Sequence, residues 1–128
     1  MTSVISQCFS SCWHFFLTEF YLGGMDLYVQ EFGVNKTHDE FYTDLNIRAQ
    51  FNKFVQFIVA RYANEPTVMA WELANDPRCN SSVAASASCN TNTVTQWHAD
   101  ESSFVKSIDP NHLVTSGYAY ILSLSTAF

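Results

Sequence analysis

Met69-Ala70-Trp71-Glu72-Leu73-Ala74-Asn75-Asp76-Pro77-Arg78-Cys79 sets an almost continuously apolar run against an abrupt Asn-Asp-Pro turn. The run reaches back to Thr67, and an apolar stretch of that length over residues 67–73 predicts a strand covered on both faces, as in parallel sheets. Asn, Asp and Pro form turns for their own reasons, so the tripeptide alone predicts only a turn. Placed directly after a buried strand, it projects a carboxyl from the strand end, where α/β barrels carry their chemistry.

Working outward, residues 40–62 repeat apolar side chains at helical spacing, with Phe51, Phe54, Val55, Ile58, Val59 and Tyr62 on one face. Asn64-Glu65-Pro66 ends that helix. On the other side, residues 93–108 predict a second amphipathic helix through Val94, Trp97, Phe104, Val105 and Ile108, stopped by Asp109-Pro110-Asn111. A strand begins at 112–115 and is followed by Gly117. Further upstream, residues 17–22 are a short strand candidate broken by Gly23-Gly24, and residues 25–32 a short helix, followed by a polar loop over 33–39. The alternation strand–helix–strand–helix–strand predicts an α/β fold with a parallel sheet. Neither a repeat nor a linker interrupts it, so residues 1–128 are expected to form a single domain.

A chain of 128 residues with 48% apolar and 16% aromatic content buries a core. Its length is about half that of a typical barrel of about 250 residues. Six basic against twelve acidic side chains give a net charge of −6. That balance argues against a nucleic-acid partner or an anionic membrane and suits a neutral substrate met through aromatic faces and hydrogen bonds. Cys79 and Cys89 flank a Ser/Ala/Asn-rich loop; they are either a disulfide, contributing roughly 2–3 kcal/mol by loop closure, or two free thiols. Cys8 and Cys12 have no partners at metal-ligand spacing. His14, His38, His98 and His112 show none either, so no metal is expected. Asn35-Lys36-Thr37 and Asn80-Ser81-Ser82 are glycosylation sequons. Residues 1–20 lack the basic start and small-residue cleavage site of a signal peptide, and are too interrupted by polar residues to cross a membrane.

The central stretch closely resembles the acid/base motif of glycoside hydrolase family 5, in the branch of secreted fungal endo-β-1,4-mannanases, which reads Trp-Glu-Leu-Ala-Asn-Glu-Pro-Arg-Cys. Gly23-Gly24-Met25-Asp26-Leu27-Tyr28-Val29, His38-Asp39-Glu40-Phe41-Tyr42-Thr43, the run from Arg61 to Trp71 and the run from Ser107 to Val114 are similar to that family as well. Together they cover residues 17–117. The resemblance implies a partial (β/α)8 TIM barrel, about strands three to five with their helices, forming an incomplete catalytic domain. It implies a retaining hydrolase acting on β-mannan without a cofactor, secreted as the intact protein although no signal peptide is present here. Asp76 stands at the acid/base position. Asn75 is placed to hydrogen-bond the sugar 2-OH, and Trp71 has the best claim among the aromatics to lie beside substrate. Trp13, Trp97 and the phenylalanines read instead as core.

Three departures from the family pattern bear on activity. Asp76 replaces Glu and is one methylene shorter, a misplacement that costs on the order of 10²-fold in rate. The family's nucleophilic Glu, near the end of its seventh strand, has no counterpart in these residues. Thr18 to Leu22 and the residues after Gly117 do not follow the family. Other readings are an endo-β-glucanase on the same scaffold, a non-catalytic mannan-binding remnant, or an open flavodoxin-like domain, the last without a phosphate-binding Gly-rich loop. Glu72, four residues before Asp76, is expected to be held by a salt bridge or hydrogen bond. Three strands of a barrel are also expected to leave apolar edges and an uncovered inner face. Nothing in the sequence sets an oligomeric state.

Overall fold

A computed structural model describes residues 24–117 and the strand Ser3–Ile5. The element order is β1 (Ser3–Ile5), α1 (Met25–Phe32), α2 (Glu40–Thr43), α3 (Leu45–Tyr62), β2 (Ala70–Glu72), α4 (Thr91–Ile108) and β3 (Leu113–Thr115). The long helix expected over 40–62 is broken at Asp44, and the cause is local. Asp44 turns its backbone to extended geometry and accepts the Asn46 and Ile47 N–H groups on one carboxyl oxygen, which makes it the N-cap of α3. Asn90 does the same for α4, in a reciprocal box with Thr93, and so starts that helix two residues earlier than its apolar pattern does.

The strands are three residues each, shorter than the apolar runs that contain them. β2 lies between β1 and β3. Its pairing with β3 is parallel, with Trp71 opposite Val114, as the strand–helix–strand order requires. Its pairing with β1 is antiparallel, with Trp71 opposite Val4. The wholly parallel sheet expected from the sequence is corrected there: an N-terminal segment with no apolar run of its own occupies the second edge of β2. β2 is therefore not an edge strand, and all three of its residues are buried. Ala70 and Glu72, on the face opposite Trp71, are covered, so the expected uncovered inner face is not seen at β2. The strand candidate at 17–22 and the residues after Gly117 lie outside the described residues.

The helices pack on the Trp71 side. Val29, Phe41, Ile47, Phe51, Val55, Val59, Trp71, Trp97 and Val105 form a continuous core, each at most 1% exposed. Phe41 sits at its centre, with its ring 5.2 Å from Phe51 and 5.5 Å from Trp97. Edge-to-face and tilted pairs of this kind add to the area buried. Between α3 and α4, Arg48 reaches both Asp100 (3.0 Å) and the buried Glu101 (3.2 Å).

Candidate active site at the end of strand β2

Backbone pairing with β3 continues past the end of β2 and then slips. Leu113 N–H donates to Met69 O, Leu73 N–H donates to Thr115 O, and the next bond runs from Asp76 N–H to Gly117 O at 2.9 Å. A regular parallel ladder advances two residues on each strand, so Asn75 would have made that bond. The chain carries one extra residue at this point, and Asp76 adopts φ +48°. Asp tolerates the left-handed region better than longer side chains because its short carboxyl bonds locally. Extra residues of this kind re-aim side chains at strand ends and cluster beside active sites. Gly117, at φ +71°, is the other half of the latch: a Cβ there would lie 1.7 Å from Ala74 O.

The Asp76 carboxyl is partly exposed and pairs with the Arg78 guanidinium at 2.9 Å. Pro77 between them is buried, and Asn75 is exposed. Asp76 and Asn75 thus occupy one exposed turn, as expected. Trp71 does not join them. It is fully buried on the helix side of β2, and its indole Nε1–H donates to Asp109 Oδ2 at 2.7 Å. Residues alternate across a strand, and 71 falls on the face opposite that of Glu72, which sets it apart from the exposed turn. Asp109 also accepts the Asn111 and His112 backbone N–H groups and meets His112 Nδ1 at 2.5 Å. Burial opposes its ionisation, but the Trp71 indole, His112 and those two amides outweigh it and hold its carboxyl below the usual range. Glu72 is buried and makes no hydrogen bond or ion pair with another described residue, contrary to expectation.

Cys79 and Cys89 form a disulfide with Cα atoms 5.8 Å apart, resolving the choice the sequence left open. The loop it closes is tied down by carboxylates from the helices. Asp26 Oδ2 accepts the hydroxyls of Ser81 and Ser82, each at 2.5 Å. Asp39 accepts the Ser86 N–H and hydroxyl, both at 2.6 Å, and His38 N–H donates to Ala84 O at 3.0 Å. Burial pushes against ionisation of Asp26 too, yet the two serine hydroxyls and His38 keep it below the usual carboxylate range.

Ser81, Asp26 and His38 are the residue types of a nucleophilic triad, but here the order of contacts is wrong for one. The serines donate to the aspartate, and no serine bonds the imidazole, whose Nε2 faces the Tyr42 hydroxyl at 3.2 Å. Sequence reasoning missed this cluster. His38 and Tyr42 are four apart, a visible helical spacing, but Asp26 and the serines lie far off in sequence and leave no periodic signal. Among the described residues, no three or more His, Cys, Asp or Glu are gathered as a metal would need. No helix among them is long and apolar enough to cross a membrane.

A strand-end acid on an extra residue beside a disulfide-closed loop, over a parallel β2–β3 pair with helices on one side, has the makings of a glycosidase strand end. The profile of the glycoside hydrolase family 5 β-mannosidase-like family matches residues 20–123, and the chain belongs to that family. It is similar to mannan endo-1,4-β-mannosidase A of Hypocrea jecorina, at 45% identity over 95 residues, covering 74% of this chain and 20% of that protein. To the enzyme of the same name from Podospora anserina it is 40% identical, covering 74% of this chain and 23% of that one. Among solved structures, the endo-1,4-β-mannanase of Rhizomucor miehei superposes with a TM-score of 0.72 at 35% identity, covering 83% of this chain and 33% of that one. The hyperthermostable endo-1,4-β-D-mannanase of Thermotoga petrophila gives 0.63 at 41%, covering 75% and 27%. The chain thus spans about a fifth to a third of the proteins it resembles, and its α/β architecture superposes on part of theirs.

Proposed function

We propose that these residues are strands three to five, with their helices, of a secreted retaining endo-β-1,4-mannanase. They would make up one incomplete catalytic domain that acts on internal bonds of β-mannan. The observation that carries this reading is Asp76: an acid on the exposed turn after a buried strand, held at positive φ, in a family 5 chain. In that role Asp76 protonates the glycosidic oxygen as the leaving group departs, and Asn75 beside it hydrogen-bonds the sugar 2-OH. A second carboxylate, about 5–5.5 Å away in retaining enzymes, attacks the anomeric carbon. Asp76 is read as the first of these two groups.

A non-catalytic mannan-binding role is the second reading. It is favoured by the short Asp76 side chain and by the Arg78 guanidinium that occupies one of its oxygens. The test is to incubate the purified chain, and the same residues joined to the remaining strands of a family 5 barrel, with mannohexaose and cellohexaose. The chain alone is expected to release no product. The completed barrel is expected to cut mannohexaose in preference to cellohexaose, and Asp76→Glu in it to raise the rate by about 10²-fold. Preference for cellohexaose would replace the mannanase reading with a glucanase. Saturable binding of mannohexaose with no cleavage in either background, Asp76→Glu included, would establish the binding role instead.

A further inference from the structure

The polar cluster under the turn forms a closed circuit. Tyr42, 2% exposed on α2, holds both backbone groups of Arg78: its hydroxyl donates to Arg78 O at 2.9 Å and accepts from Arg78 N–H at 3.2 Å. Of its two donor contacts, Arg78 O at 2.9 Å is shorter than Met25 Sδ at 3.5 Å, and the hydroxyl also meets His38 Nε2 at 3.2 Å. On the other side of the ring, Nδ1 meets Asp26 Oδ1 at 2.5 Å. The second oxygen of Asp26 takes Ser81 and Ser82, and the chain runs from Ser81 back through Cys79 to Arg78. Every link is satisfied, and networks complete in this way stiffen what they hold.

We propose that Asp26, His38 and Tyr42 are positioning residues for the candidate acid: they fix the peptide groups of Arg78, two residues beyond Asp76, and so the direction of the Asp76–Arg78 pair. The idea rests on the reading of Asp76 as the acid/base group, since the circuit touches no substrate itself. From β3, Gly117 O holds the turn at Asp76, and from α2, Tyr42 holds it at Arg78. The buried Pro77 links the two anchors.

The test reads the turn directly in the full 128-residue chain. Amide hydrogen exchange is followed at Arg78 and, as an internal control, at Trp97 and Val105 in α4, together with the ¹³C carboxyl resonance of Asp76. Tyr42→Phe keeps the ring within the aromatic core and removes only the hydroxyl. Exchange at Arg78 is expected to quicken about tenfold while the α4 amides change less than twofold, and the Asp76 resonance is expected to move. His38→Gln, whose amide can still donate to Tyr42 but not reach Asp26 as the ring does, is expected to restore part of the protection lost in His38→Ala. Should Tyr42→Phe not fold, Ser81→Ala with Ser82→Ala opens the circuit from its outer side, where a rise of several-fold at Arg78 is expected. Equal acceleration at Arg78 and in α4 would show a merely structural role and overturn the proposal, as would an unmoved Arg78. Mannohexaose added to the same residues joined to the remaining strands of a family 5 barrel separates the two claims. If the Asp76 resonance ignores the sugar, the reading of Asp76 as the acid fails, while the exchange result stands for the circuit alone.

Discussion

At the scale of single residues, side chains that look alike in sequence divide by the face they occupy. Trp71 and Asp76 belong to one motif, yet Trp71 lies under the helices and Asp76 on the exposed turn. The position of Asp76 at a strand end was legible from the apolar run and the turn formers that follow it. Its positive φ and the extra residue were not, because they depend on pairing with β3 more than 35 residues later. Nor was the role of Trp71, since the sequence does not show which of two faces the helices cover. The indole N–H gives a prediction at this scale. Trp71→Phe preserves apolar bulk but leaves the fully buried Asp109 without one of its donors. It is expected to lower stability by about 1–3 kcal/mol, seen as a lower urea midpoint with an unchanged slope.

Among the elements, helix positions were read well because their apolar faces repeat, and their starts were misread wherever a side chain rather than the pattern sets them. Asp44 and Asn90 both cap by hydrogen bonding to backbone N–H groups, and each moved a boundary. β1 was missed because three residues paired at an edge carry no periodic signature. α3 and α4 are joined by the Arg48–Glu101 contact. Burial pushes the Glu101 carboxyl up, and Arg48, which pulls it back, does not fully offset that. Arg48→Ala removes the partner of a carboxylate whose side chain is 1% exposed, and is expected to cost about 3–5 kcal/mol at neutral pH. A carboxyl raised in the folded state favours folding when protonated, so the deficit is expected to shrink as pH falls toward 5. Denaturant titrations of both proteins at pH 7 and pH 5 check the size and the sign.

For the molecule as a whole, the acid response follows from groups already placed. Asp26, Asp39 and Asp109 are held below the ordinary carboxylate range. A depressed carboxyl stabilises the fold above its unfolded value and loses that contribution as pH falls through the folded one. His98, lowered mainly by burial, prefers to be neutral, so the fold also weakens as pH falls below about 6.5. Glu101 alone among these acts in the opposite sense. The thermal midpoint is therefore expected to decline from pH 7 toward pH 3 in calorimetry; a midpoint rising through that range would contradict these assignments. The circuit under the turn has one more consequence, in the order of folding. Its bonds join residues 36 and 55 apart in sequence, and contacts so distant must overcome loop-closure entropy before they repay it. Capped helices and the disulfide loop close locally and can form first. A chain halted at that stage would have its helices, and even its cystine, while the acid in its sequence had not yet been put in place.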